Sequence, residues 1–232
     1  MSSATRSRQK QPENHEIHLV NGERMRQAEF HRKYQAYPDD TKFQLIAGTV
    51  YMTSPLKRFH GSYHFLLSWL FGSYSAETQG VQGLDNATTI LNDENEPQPA
   101  LSLRILSELG GRSTLTSEAY VQGPPELVAE IAHSTRALDL HQKKDVYRRA
   151  GVLEYVVLAI EQRTVTWFDF RARRQIAPDS AGLCKSRIFP GLWLAIPAFL
   201  DQDQKGMGTA LRAGLQSPEH TAFVKRMESR PK

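Results

Sequence analysis

A single cysteine, Cys184, occurs among 232 residues, so no internal disulfide can form and cysteine-rich zinc sites are excluded. No apolar run approaches the roughly 18 residues of a membrane span. The opening stretch MSSATRSRQKQPENHE lacks the apolar core of a secretion signal. The expectation is a cytoplasmic protein with no membrane partner. Also missing are a phosphate-binding loop and a glycine fingerprint that opens a helix after a strand. Gly206-Met207-Gly208 lies in a polar C-terminal stretch, the wrong context for nucleotide binding. Ser134 has no nucleophile elbow around it and Cys184 no arranged base, so a hydrolase triad finds little support. No helix-turn-helix or RNA-binding signature stands out.

Basic charge is scarce in the body of the chain. The net charge is +4, but residues 1–37 carry seven basic against four acidic side chains, and residues 201–232 six against four. The body, 38–200, carries sixteen against seventeen. That distribution gives weak support to nucleic-acid binding by the folded part, which would need a clustered basic face. A hydrophobic content of 40% and a charged content of 23% are ordinary for one globular domain with tails. Residues 1–24 are expected to form a disordered tail, 25–200 the folded domain and 201–232 a polar, mobile tail.

Met25 to Tyr37 has helical potential and stops at Pro38. Two short apolar runs, Lys42 to Ala47 and Thr49 to Thr53, flank Gly48 and predict a β-hairpin ending at Ser54-Pro55. From His60 to Tyr74 the pattern turns helical, with Phe65/Trp69 and Leu66/Leu70 at i,i+4 spacing, and the aromatics are expected in the core. His60 and His64 share that spacing, but the zinc-peptidase motif needs a glutamate between them, and Gly61, Ser62 and Tyr63 stand there instead. Ala87 to Leu91 and Ala100 to Leu106 predict strands. The acidic turn between them lacks the alternating ligands of a calcium loop. Thr164 to Phe170 alternates as a strand, followed by Arg171, Arg173 and Arg174, which read as a solvated edge or as a phosphate contact. Ser186 to Ile196 predicts a last extended segment, and Ala198 to Leu200 a closing helix.

The chain is organised around residues 124–158. Leu127 to Ala132 is a short apolar run after Pro124-Pro125, the pattern of a strand buried on both faces. Asp139, with Gln142 three residues on, predicts a helix cap. Gly151 predicts the helix end after Ala150. Val152 to Ile160 predicts a second buried strand, and the unit a β-α-β crossover with parallel strands. Glu130 interrupts the first strand. An unpaired buried carboxylate costs several kcal/mol, so it requires a cation, either Lys143 in a structural pair or a bound metal ion.

Four pieces occur in order: FQLIAGTVYMTSP at 43–55, His60-Gly61 opening a helix, NEPQPALSLRI at 95–105, and GPPELVAEIAHSTRALDLHQKKDVYRRAGVLEYVV at 123–157. With FPGLWL at 189–194, the chain resembles the Uma-two type of restriction endonuclease within the PD-(D/E)XK nuclease superfamily, over about residues 25–200. The resemblance implies an α/β fold, a restriction-endonuclease-like core with a mixed central sheet flanked by helices. It implies a metal-dependent endonuclease acting on nucleic acid, DNA foremost, through Mg²⁺ or Mn²⁺. Glu130 matches the strand glutamate and Lys143 the lysine displaced onto the helix in D-L-x-x-K. These are the implied catalytic pair, with Glu130 also a metal ligand. Carboxylates in such sites hold the ion, which activates water. Tyr147 matches a tyrosine one turn on.

The first metal position departs from the pattern. Where the family has Pro-Asp this chain has Pro99-Ala100, and the early E-L-I-D-G motif has become Gln44-Leu45-Ile46-Ala47-Gly48. A methyl group cannot ligate a metal, so cutting is expected to be impaired. Gln44, His60, Gln98, Asp139 and Tyr147 are the accessory candidates around the pair. Two readings follow: an endonuclease with a rebuilt ligand set, or a pseudo-nuclease that binds nucleic acid or a protein without cutting. A homodimer would suit a nuclease that cuts both strands.

Overall fold

A computed structural model of the protein describes residues 18–38, 41–52, 58–132 and 137–229. Ser54-Pro55 and Ser134 lie outside them. The chain opens with α1 (Gln27–Tyr34), a hairpin of β1 (Phe43–Ile46) and β2 (Thr49–Met52), and the long helix α2 (Arg58–Ala76). Five short strands follow: β3 (Val81–Asp85), β4 (Thr89–Ile90), β5 (Leu101–Ile105), β6 (Thr114–Leu115) and β7 (Val121–Gln122). The middle is β8 (Leu127–Ala132), a π-helical segment Leu138–Lys143 that runs into α3 (Lys144–Ala150), and β9 (Glu154–Ala159). β10 (Thr164–Asp169), β11 (Arg174–Gln175), β12 (Leu183–Lys185), β13 (Trp193–Ala195), α4 (Ile196–Leu200), α5 (Gln204–Leu215) and α6 (Pro218–Glu228) complete the chain.

The main sheet has six strands in the order β11-β10-β9-β8-β5-β3. β8 and β9 pair in parallel, from Leu127 opposite Glu154 to Ala132 opposite Ala159. The other pairings in the sheet are antiparallel, so the sheet is mixed. Both central strands are buried along their whole length, which is why they lack the alternation of a half-exposed strand. Ala129 and Ile131 of β8 pack with Leu67 and Leu70 of α2, Met207 and Leu211 of α5, and Phe223 of α6. Val128 and Ala132 face the other way, against Tyr147 of α3 and Tyr155. Helices thus cover both faces, and the crossover carries Glu130 to the α3 side. α3 stops where expected. Gly151 takes φ 98° and its amide donates to the carbonyls of Tyr147 and Arg148, a left-handed cap that glycine adopts without steric cost.

The hairpin turn is Ala47-Gly48, both with positive φ (50° and 71°), as a two-residue turn of the favoured twist requires. β1 docks on the 92–96 turn, with the Leu45 and Glu96 amides and carbonyls exchanging bonds of 3.0 and 2.9 Å.

Several expectations are corrected. Residues 204–228, read as part of a mobile tail, form two helices whose Met207, Leu211, Phe223 and Met227 are buried. Their glycines made the stretch look irregular, yet one of them is a packing requirement. A Cβ on Gly214 would run into the Gly191 carbonyl. Asp203 and Ser217 cap the two helices by accepting from the amides of Gly206 and His220. Within 18–24, Leu19 is buried and Arg24 bridges Thr49, so this part of the expected N-terminal tail is tied to the hairpin. Asp139 is no helix cap. The helical winding already includes Ala137, and the Asp139 side chain turns inward. Phe65 is 63% exposed rather than core, because Leu66 and Leu67 take the inward face of α2. The strand expected over 87–91 pairs only at Thr89–Ile90. Of the last extended segment expected over 186–196, only β13 is strand, and it pairs with β12, which precedes the segment. No helix among the described residues is long and apolar enough to cross a membrane.

Candidate functional site

Glu130 enters the core because β8 is flanked on both sides and its even-numbered residues face α3. Its Oε1 accepts two hydrogen bonds, from Lys143 Nζ at 3.0 Å and from the Tyr147 hydroxyl at 2.9 Å. Lys143 Nζ also lies 3.3 Å from Asp139 Oδ1. Asp139, Lys143 and Tyr147 follow at intervals of four, so the π-helical segment and α3 present all three to the strand. The segment is itself a rare winding, one found frequently at functional positions. The Tyr155 hydroxyl donates to the Asp139 carbonyl at 3.0 Å, which fixes that winding against β9.

The cluster is closed to solvent: Glu130 is 6% exposed, Asp139 1%, Lys143 4% and Tyr147 0%. Burial drives the Glu130 carboxyl above its usual range; Lys143 pulls it down, while Asp139 adds to the rise. Burial alone would lower the Lys143 ammonium, but Glu130 and Asp139 together outweigh it and hold its pKa above the ordinary value. The Tyr147 and Tyr155 hydroxyls are raised well above the phenol range, first by burial and then by the Glu130 charge. An ammonium shared by two carboxylates, with a phenol on one of them, can hold charge in a dry place.

The sequence-predicted residues divide into groups. Glu130, Lys143, Asp139 and Tyr147 come together. Ala100 stands at the head of β5, one residue before the Leu101–Ala129 pair, which places it level with Glu130, and its side chain is buried in the core. Gln44 pairs with Tyr51 across the hairpin, and the Tyr51 hydroxyl donates to Gln142 at 3.1 Å. Gln44 therefore lies on the hairpin face that meets the crossover. Gln44 is 6% exposed, and its Oε1 has no hydrogen-bond donor among the described residues. Gln98 turns away and donates to Thr88 Oγ1 at 3.3 Å. His60 stacks on His64 at 6.2 Å.

His64, whose spacing from His60 lacks the zinc-peptidase glutamate, is a further neighbour of the strand head. Its Nε2 lies 3.2 Å from the Ala100 carbonyl and 3.4 Å from Asp85 Oδ1, so polar groups gather at the strand head where this chain has alanine in place of the motif's aspartate. Its i,i+4 spacing from His60 was the available signal. Glu96, which shares strand parity with Ala100, is committed elsewhere: Gln27 Nε2 donates to it at 2.7 Å, and His31 Nδ1 lies 2.8 Å away. Among the described residues no group of three or more His, Cys, Asp or Glu side chains could hold a metal ion.

Comparison with known proteins bears on the whole fold. The crystal structure of a putative nuclease belonging to DUF820 from Anabaena variabilis ATCC 29413 is similar, with a TM-score of 0.54 at 12% identity. The likeness covers 78% of this chain and 97% of that one, and at this identity it is one of fold. No curated protein matches the chain. The family model described as Uma2, putative restriction endonuclease, matches residues 28–197. With most of its length inside that match, the chain belongs to the Uma2 family of putative restriction endonucleases.

Proposed function

We propose that this protein is an endonuclease-family member with a disarmed metal site, which retains contact with nucleic acid but not efficient phosphodiester hydrolysis. The observation that carries the reading is the placement of Lys143 against both Glu130 and Asp139, with Ala100 level with Glu130. Magnesium requires about six oxygens in near-octahedral array, part of them from carboxylates. Here the two nearby carboxylates already share an ammonium, and a methyl group stands where the motif supplies the first carboxylate. These residues fit a lysine better than a divalent ion, so no hydrolytic step is assigned to them. DNA is the substrate class suggested by the family description, and contact with it would not need the metal. A second reading is favoured by one observation: Asp139 sits 3.3 Å from the same ammonium as Glu130, close enough to replace the missing carboxylate if Lys143 moved aside.

Plasmid cleavage with Mg²⁺ or Mn²⁺ separates the two readings. Wild type is expected to leave the plasmid uncut, and Ala100→Asp to restore nicking, with circular dichroism confirming that both variants fold. Cleavage by wild type that disappears in Lys143→Ala and in Asp139→Asn would overturn the disarmed site in favour of the rebuilt one.

A further inference from the structure

Lys144, next to the buried Lys143, is partly exposed. Lys144 and Arg148 of α3, with Arg173 and Arg174 beyond β10, surround a surface cavity of about 530 Å³ floored by Phe168 and Phe170. The groove's acidic residues are Asp145, half-buried, and Asp169, which is buried. Asp145 lies 3.5 Å from the exposed Arg148, and surface pairs of this kind contribute little. Lys144, Arg173 and Arg174 have no ion pair among the described residues. Asp169 shapes the turn, accepting from the Ala172 amide at 3.0 Å, and Arg173 is held there at φ 53°. The arginines are thus presented by a built turn, although the body of the chain has no net basic charge.

The floor is aromatic and continuous with the buried cluster. Tyr147, which donates to Glu130, packs on Tyr155 at 5.2 Å. Tyr155 stacks on Phe168 at 6.3 Å and on Phe170 at 6.0 Å. Lys144 Nζ lies 5.2 Å from the centre of the Phe168 ring, a cation-π contact that places the ammonium at the groove wall. A groove that combines cations with partly exposed aromatic faces matches single-stranded nucleic acid, whose phosphates follow the charge while unpaired bases stack on rings. A duplex would use the cations and leave the rings idle.

We infer that this groove binds a single-stranded stretch of nucleic acid, with phosphates on Arg173, Arg174 and Arg148 and a base against Phe170. The inference rests on the reading that the protein contacts nucleic acid, and it specifies where and in which form. The test is fluorescence anisotropy with labelled oligo(dT), oligo(U) and a DNA duplex over a salt series. Wild type should bind the single strands more tightly than the duplex, and the ratio of dT to U reports DNA against RNA. Arg173→Glu/Arg174→Glu should weaken oligo(dT) binding at least tenfold. It should also flatten the salt slope by about 1.4, at roughly 0.7 per phosphate contact on a single strand. Phe170→Ala should weaken binding roughly tenfold or more with the slope unchanged, the signature of lost stacking. Lys205→Glu, exposed on α5, should leave binding within about twofold. Tight binding that survives the double arginine variant overturns the groove and leaves the nucleic-acid reading standing. Preference for the duplex overturns the single-strand assignment. Failure of wild type to bind any of the three probes overturns both.

Discussion

Glu130 and Glu154 stand on neighbouring strands of one sheet, both buried, and are compensated in opposite ways. Glu154 Oε2 accepts from Trp167 Nε1 at 3.0 Å and Ser186 Oγ at 2.7 Å. Its Oε1 accepts from the amides of Arg187 and Ile188 at 2.7 and 3.3 Å. Every donor is neutral and held by backbone or packed side chain. Glu130 takes both of its recorded bonds on one oxygen, one of them from a cation that a second carboxylate shares. The first arrangement staples β9 to the 186–188 turn. The second is a charge cluster in which a single substitution leaves an uncompensated ion. Burial alone does not distinguish a structural carboxylate from a functional candidate; the kind of partner does.

The largest break in this comparison comes at Lys143. Lys143→Met leaves Glu130 and Asp139 without the ammonium between them and should destabilise the protein by about 3–5 kcal/mol, as loss of one buried partner does. Urea unfolding measures it. Adding Glu130→Gln to Lys143→Met should recover a large part of the loss, and the absence of any recovery would contradict the coupling. Glu154→Gln should cost less, about 1–3 kcal/mol, because an amide NH₂ is turned against fixed donors while no charge is stranded.

The pH dependence sharpens the contrast. Lys143 is raised in the folded state, so its contribution is complete below its ordinary value of 10.5 and is lost as the pH climbs through the raised value. Wild type should therefore lose stability above that pH more steeply than Lys143→Met, as read by urea midpoints. Glu154 is also raised, mainly by burial. The favourable part of its linkage is complete below 4.5 and lost as pH rises through the folded value. Glu154→Gln should be flatter than wild type in that acidic window. The smallest effect concerns Cys184. Burial pushes its thiol up to about 11, so in native protein a thiol reagent at neutral pH should react far more slowly than in urea.

The crossover was legible because its signals are local. A short apolar run, a helix stop at Gly151 and a second apolar run describe β8, α3 and β9 without tertiary information. The Glu130–Lys143 pair followed from the cost of burying a lone carboxylate, and Tyr147 from the family resemblance. Asp139 was legible as a residue near the site but misread as a cap, since the π-helical winding that turns it inward is set by Tyr155 from another strand. The C-terminal helices escaped because the apolar residues of α6 are few and the glycines of α5, of which Gly214 admits a close backbone contact, imitate a loop. The groove escaped for a different reason. Lys144 and Arg148 are separated from Arg173 and Arg174 by a strand and a hairpin, and only the pairing of β9 with β10 brings them together.

The most direct measurement is calorimetric titration of Mn²⁺ into wild type, Ala100→Asp and Ala100→Asp/Glu130→Gln. Wild type should give no binding heat, Ala100→Asp should bind one ion, and the added Glu130→Gln should abolish that binding. A wild-type protein that binds Mn²⁺, and loses it in Glu130→Gln, would contradict the disarmed site and establish that the cluster around Lys143 accepts a metal as it stands.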